Sequence, residues 1–235
     1  MICYTKDGRI IDYDCNNNLI VESTQGEIFK VGSSVCLKRY IGNNMGKGIF
    51  DDSGNVFNQE MFDYFKFKFN NSNFCQLYDL LYDDKFISVL GYTMKYYEEM
   101  IDNVLNMPTS YILDNFSLIY DAIMKLTDDC VRVVDLHSQN IINTKNGMIV
   151  IDYDKYFFDD SSSKEVLSYI NKSALIYAFS GIFKKSLRNL GINVDSDLEL
   201  KNKISSLFTP ETNPLMLKSK LRGYSKSIDY LISHC

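Results

Sequence analysis

The run Val133-Val134-Asp135-Leu136-His137-Ser138-Gln139-Asn140, continued through Ile141 to Asp154, constrains this chain more than any other part of it. It holds an Asp, an Asn five residues later and a second Asp, Asp152, twelve residues beyond that. Between Asn140 and Asp152, Ile141-Ile142-Asn143 and Met148-Ile149-Val150-Ile151 flank Thr144-Lys145-Asn146-Gly147. Asn-Gly between apolar runs is a strong short-range hairpin signal. A hairpin there turns the chain back on itself, so the spacing brings Asn140 and Asp152 to the same end of two strands. Asp135 closes a short apolar strand, Val131 to Val134, where a turn can present its carboxylate. Asp and Asn also populate turns for purely local reasons. Three of them ordered around one hairpin form a more specific pattern. An amide oxygen and a carboxylate suit magnesium, which takes few protein ligands, all oxygen. A carboxylate nearby suits a group that accepts the hydrogen bond of an incoming hydroxyl. These are the parts that phosphoryl transfer needs from a protein.

Composition excludes several other classes. With 235 residues, 46% of them hydrophobic, the chain can bury a real core. Its net charge is −5 and no run of Lys or Arg interrupts it, so neither nucleic acid nor an anionic membrane is expected as a partner. Cys3, Cys15, Cys36, Cys75, Cys130 and Cys235 contain no C-x-x-C pair, which argues against a zinc site and a stapled secreted framework. They read as reduced thiols, and the expected location is cytoplasmic, or a reducing cytosol into which the chain is delivered. The N-terminus turns polar at once, unlike a signal peptide. No window is expected to reach the roughly 18 apolar residues of a membrane span.

Along the chain, residues 1 to about 40 alternate short apolar runs with turn signals, as in a meander of antiparallel strands. A helix is expected from Asn58 to Phe67, capped near Asn55 or Asn58. Leu77 to Tyr82 and Phe86 to Met94 flank Asp83-Asp84-Lys85 as a hairpin, so five strands and one helix are complete by about residue 95. Helical spacing then dominates, at Tyr111 to Lys125, Val166 to Leu190 and Leu198 to Leu207. A β-rich part, 1–95, followed by a helical part, 96–235, predicts an α+β chain of two unlike lobes.

Upstream, Lys38 interrupts the apolar strand Ser34 to Tyr40, and Glu60 follows 22 residues later on the expected helix, where it could pair with that lysine. Gly26 marks a turn between two strands. At these residues the chain resembles the protein-kinase-like superfamily. The resemblance runs from the Gly26 turn through Lys38, Glu60, the hinge-like Gly91 to Tyr97, Asp135, Asn140 and Asp152 to the helix around Ala174 to Gly181. It implies a bilobal protein-kinase-like fold, with a β-rich N-lobe carrying one main helix and a mostly helical C-lobe. It implies ATP and Mg2+ as cofactors: the Gly26 hairpin over the phosphates, Lys38 on them, Glu60 holding Lys38, adenine on the backbone of Met94, Lys95 and Tyr96, Asn140 and Asp152 on the metal, and Asp135 as catalytic base.

Departures narrow the resemblance. Val133-Val134 stands where the family usually has His-Arg, removing the arginine that reads a phosphorylated activation loop. His137 stands where Ser/Thr kinases generally have Lys, so Asp-Leu-His-x-x-Asn looks closer to aminoglycoside-phosphotransferase-like proteins. Asp154 replaces a glycine and is expected to be a solvent-facing cap, an alternate metal ligand being the other reading. No Ala-Pro-Glu follows: the prolines are Pro108, Pro210 and Pro214, and Thr209-Pro210-Glu211 reads as a turn. The expected activity is an atypical Ser/Thr protein kinase; a small-molecule kinase, or a nucleotide-binding pseudokinase acting as scaffold, are the alternatives. The acceptor would be a protein or small-molecule hydroxyl.

Overall fold

The structure is a computed structural model that describes residues 2–14, 17–22, 26–40, 59–98, 101 and 103–233. Its contacts divide the chain into two units, Met1–Glu98 with Asp154–Phe157, and Glu99–Tyr153 with Phe158–Cys235. The mixed α+β class expected from the sequence holds. The division falls three residues later than expected, and a short downstream segment returns to the first unit.

The first unit is built on a seven-stranded antiparallel sheet: β1 (Ile2–Thr5), β2 (Ile10–Asp12), β3 (Leu19–Glu22), β4 (Gly26–Lys30), β5 (Val35–Tyr40), β6 (Leu77–Tyr82) and β7 (Val89–Lys95). The order is β2-β1-β6-β7-β5-β4-β3, so the N-terminal strands form no single meander. The first hairpin, β1–β2, is separated from β3–β5 by β6 and β7. Cys3, Tyr13, Phe29, Leu37 and Leu81 make the core of one face. On β5 the alternate residues Cys36, Lys38 and Tyr40 are buried as well, so this strand is covered on both sides. That double burial is why a lysine on β5 needs a partner rather than water.

The expected helix is present over Gln59–Lys68 but is partly wound differently. One α-helical stretch, α1 (Gln59–Asp63), continues as a single π-helical turn, Tyr64–Lys68, closed by Phe69 N donating to Tyr64 O at 2.8 Å. The wider turn aims Tyr64 and Phe65 inward and leaves Phe67 exposed, resolving an aromatic run too dense for one α-helical face. Phe65, Phe69 and Phe74 pack ring against ring at centroid distances of 5.0 to 6.3 Å, with Tyr156 on Phe65 at 6.1 Å. The proposed caps Asn55 and Asn58 lie outside the described residues.

The second unit is mainly helical: α2 (Thr109–Asp128), α3 (Lys164–Asn189), α4 (Leu198–Leu207), α5 (Pro214–Lys220) and α6 (Ser227–Ile232). Between α2 and α3 lie β8 (Val131–Arg132) and a hairpin of β9 (Ile141–Thr144) and β10 (Gly147–Val150). On α2, Ile112, Phe116, Ile119, Ile123 and Leu126 are fully buried, the spacing of one helical face. Phe116 meets Phe179 of α3 edge-on at 5.0 Å, and Phe183 meets Phe208 at 5.0 Å. Ser163, Asp197 and Asn213 cap α3, α4 and α5 by accepting from backbone N–H groups. A cap contributes about 1 kcal/mol, and each buried ring about 1.5–3 kcal/mol, so packing rather than capping holds these helices. Thr209-Pro210-Glu211 lies in a turn, closed by Thr212 N on Thr209 O at 2.8 Å.

Contrary to expectation, α3 is long and apolar enough by length and composition to cross a membrane. Much of its apolar face is instead taken up in packing, and 44% of the window concerned is buried within the fold. Among the described cysteines, Cys3, Cys36 and Cys75 are buried thiols and Cys130 is an exposed one. Burial pushes the Cys36 thiol up to about 11 and Cys75 up to about 12, so both stay protonated.

The Ser161-Ser162 stretch serves the fold. Burial alone would raise the pKa of Asp159, but the hydroxyls and backbone N–H groups of Ser161 and Ser162, which donate to it at 2.7 to 3.2 Å, hold it at about 2. The folded value lies below the ordinary 3.8, so this contribution to stability is complete above that value and is lost as pH falls through about 2. In urea unfolding followed down to about pH 2, Asp159→Asn should flatten that acid loss; an identical pH profile would rule the contribution out.

Candidate active site

The second unit sets the Asp135 loop on a clamp. Asn171 of α3 is fully buried and makes three hydrogen bonds, two to the strand segment before Asp135 and one to α2: its Oδ1 accepts from Val133 N at 2.8 Å, and its Nδ2 donates to Val131 O and to Thr127 Oγ1, both at 2.9 Å. The strand therefore cannot slide, and Asp135 emerges just past it. Leu136 is buried and pins the next residue. Asp135 adopts φ +60° and keeps its side chain 38% exposed.

Beyond Asp135, a 3-10 turn spans Ser138–Asn140, capped by His137 Nδ1 accepting from Gln139 N at 3.2 Å. Asn140 is buried and folds back, its Nδ2 donating to Asp135 O at 2.9 Å. That bond uses the amide nitrogen and leaves Oδ1 as the atom a cation would meet. The β9–β10 register pairs Ile141 with Val150, and Ile151 N donates to Asn140 O at 2.8 Å. Asp152 follows directly, half-buried, at φ +58°. The three residues singled out by spacing thus lie around one hairpin end, as expected. His137 Nε2 stands 3.7 Å from Asp135 Oδ1.

Four non-glycine residues among those described take positive φ: Phe86, Cys130, Asp135 and Asp152. A left-handed L-residue costs roughly 1–2 kcal/mol, somewhat less for Asp. Two of the four are the carboxylates of this loop, and sparsely populated backbone cluster of this kind is characteristic of functional sites.

Gly181 lets α3 approach the turn. A Cβ built there would lie 2.9 Å from both Cβ and Oγ of Ser138. Gly181→Ala is expected to destabilise the protein by about 1–3 kcal/mol, as overpacking does. Adding Ser138→Gly should recover most of that, read from the urea midpoint, and no recovery would mean that the contact is not the cause.

In the first unit, Lys38 lies opposite Tyr92 in the β5–β7 register and is 4% exposed. Its Nζ meets Asp154 Oδ2 at 2.7 Å, with side chains 5% and 2% exposed, and Tyr92 Oη donates to the same oxygen at 3.4 Å. The expected Lys38–Glu60 pair is not what holds this lysine. Glu60 sits exposed on α1, and a solvated carboxylate gains little from pairing while a buried lysine requires one. Asp154 is correspondingly no solvent-facing cap.

Gly26 opens β4 opposite Tyr40, and a Cβ there would lie 2.6 Å from Arg39 O, so the residue serves close strand pairing. Residues 23–25 before it lie outside the described residues. In the stretch expected to carry adenine, Met94 of β7 pairs with Cys36 of β5 and Leu77 of β6, Lys95 N donates to Gln76 O and Tyr96 N to Ser34 O, both at 2.9 Å. Strand β7 runs further than the sequence suggested, and those two N–H groups are used in pairing it. Sequence reasoning missed Asn171 and the role of Asp154. The signal for Asn171 was a lone amide at helical spacing from Leu167 and Leu175. Among the described residues no group of three His, Cys, Asp or Glu side chains could hold a metal, an arrangement that a magnesium ion on one amide and one carboxylate does not require. Compared with known proteins, the sequence matches no family and no curated protein.

Proposed function

We propose that this chain is an ATP- and magnesium-dependent phosphotransferase of protein-kinase-like fold that transfers the terminal phosphoryl group to a hydroxyl, in the manner of an atypical Ser/Thr kinase. The observation that carries the reading is the left-handed backbone at both Asp135 and Asp152, joined through Asn140, whose Nδ2 is tied to Asp135 O at 2.9 Å. Asp135 accepts the proton of the acceptor hydroxyl. Asn140 and Asp152 would hold magnesium, which supplies charge neutralisation on the phosphates when bound. Lys38 is the phosphate cation, and Asp154, rather than Glu60, is its positioning residue. The missing activation-loop arginine and the buried, preformed Lys38–Asp154 pair favour a site that needs no phosphorylation to assemble.

The test is nucleotide-linked stability followed by transfer. A ligand that binds only the folded state at a hundredfold over its Kd stabilises it by about 2.7 kcal/mol. ATP with Mg2+ should therefore raise the melting temperature, Asp152→Asn should remove the Mg2+-dependent part, and [γ-32P]ATP should label an acceptor. An unchanged melting temperature in wild type would sink the reading. Stabilisation without any turnover would favour the scaffold alternative.

A further inference from the structure

The catalytic-loop residue Asp135 lines a cavity of about 780 Å³ whose other wall is α3. That wall presents Tyr177, Gly181, Lys184 and Arg188, spaced as one stripe of a helix, with Lys185 beside them. The floor adds Ser138 and Gln139. The chain as a whole is acidic, at −5, yet this cavity gathers three cations and two carboxylates. One carboxylate is Asp135 itself. The other, Asp195, is taken by Arg188 at 2.8 Å. Among the described residues no carboxylate lies within ion-pair range of Lys184 or Lys185.

A basic helix face is ordinarily just solvated. Here the two lysines without a carboxylate open into the same cavity as the group that would accept the acceptor's proton, together with hydroxyl and amide donors. Charge-assisted bonds from such donors are strongest to carboxylate or phosphoryl oxygens. We infer that the acceptor is anionic: a hydroxyl compound carrying a carboxylate or phosphoryl group that seats against Lys184 and Lys185 while its hydroxyl meets Asp135. This rests on the phosphotransferase reading and names its substrate class. In the step, the acceptor oxygen bonds to the γ-phosphorus as the bond from that phosphorus to its bridging oxygen breaks. ADP leaves with that electron pair, and the hydroxyl proton passes to Asp135. A polycationic acceptor of the aminoglycoside kind would meet like charge on α3.

The experiment uses the full chain, ATP and Mg2+ with four acceptors: a serine peptide flanked by glutamates, the same peptide flanked by lysines, glycerol 3-phosphate and kanamycin. The two anionic acceptors distinguish an acidic peptide from a small phosphorylated compound. Wild type should favour one of them by about tenfold or more in kcat/KM, the scale that opposed charges at a binding face supply. The variant Lys184→Glu with Lys185→Glu should erase or invert that preference, its melting temperature reporting an intact fold. Preference for kanamycin or the lysine-flanked peptide overturns the inference, as does an anionic preference that survives the double reversal. Turnover of MgATP, as hydrolysis or self-labelling, with transfer to none of the four also overturns it. Failure to bind MgATP, or binding without any turnover, falls instead on the phosphotransferase reading.

Discussion

Asp154→Asn is expected to destabilise the protein by about 3–5 kcal/mol, because it leaves the charge of Lys38 in a buried site without its carboxylate. Few single substitutions reach that size. The reason lies in the burial of both partners: Lys38 and Asp154 meet at 2.7 Å with side chains 5% and 2% exposed, so water cannot replace either one. Tyr92 Oη, at 3.4 Å from the same oxygen, adds a hydrogen bond that the substitution weakens. The comparison that separates stability from function is the apolar double variant Lys38→Met with Asp154→Leu. Replacing a buried pair by apolar side chains of similar volume is often neutral or stabilising. The double variant should therefore regain most of the urea midpoint with an unchanged m-value while remaining unable to transfer phosphate. If Asp154→Asn alone leaves the midpoint where it is, the pair does not have the role assigned to it. If the double variant transfers phosphate, Lys38 is not the phosphate cation.

Asp135→Asn should do the reverse, keeping the fold and losing the chemistry. The side chain is 38% exposed and its backbone sits at φ +60°, a conformation that Asn tolerates as well as Asp. The stability change should accordingly stay within about 0.5 kcal/mol, as for an ordinary surface substitution. Losing a positioned general base costs about 10²–10⁴ in rate. Single-turnover transfer from [γ-32P]ATP, measured at saturating MgATP, should fall by that factor with MgATP affinity nearly unchanged. A rate within twofold of wild type would remove Asp135 from the base role. A matching fall in melting temperature would mark the residue as a structural turn.

The parts of this chain that were legible in sequence share one property: their geometry is local. The hairpin between Asn140 and Asp152 follows from two apolar runs around a turn, and its register, Ile141 with Val150, follows from that turn. The helices α2, α3 and α4 were readable from apolar spacing, since a helix buries one face at a fixed period. The order of the seven-stranded sheet was not readable, because β6 and β7 insert between the first two strands and the next three through contacts distant in sequence. The π-helical turn at Tyr64–Lys68 was hidden for a related reason: its winding answers to the aromatic cluster that it packs into.

The catalytic-loop candidates divide along the same line. Sequence alone determined which residues, Asp135, Asn140 and Asp152, could share a loop end, because their spacing and one hairpin fix it. Only the tertiary structure decided which carboxylate holds Lys38. Glu60 and Asp154 are chemically equivalent candidates, and the choice rests on burial: Glu60 stays in water on α1, whereas Asp154 lies 2.7 Å from the buried lysine, 116 residues away in sequence. A lysine covered on both faces of β5 keeps its charge only where a carboxylate is buried with it, and no local pattern states where the chain will supply one.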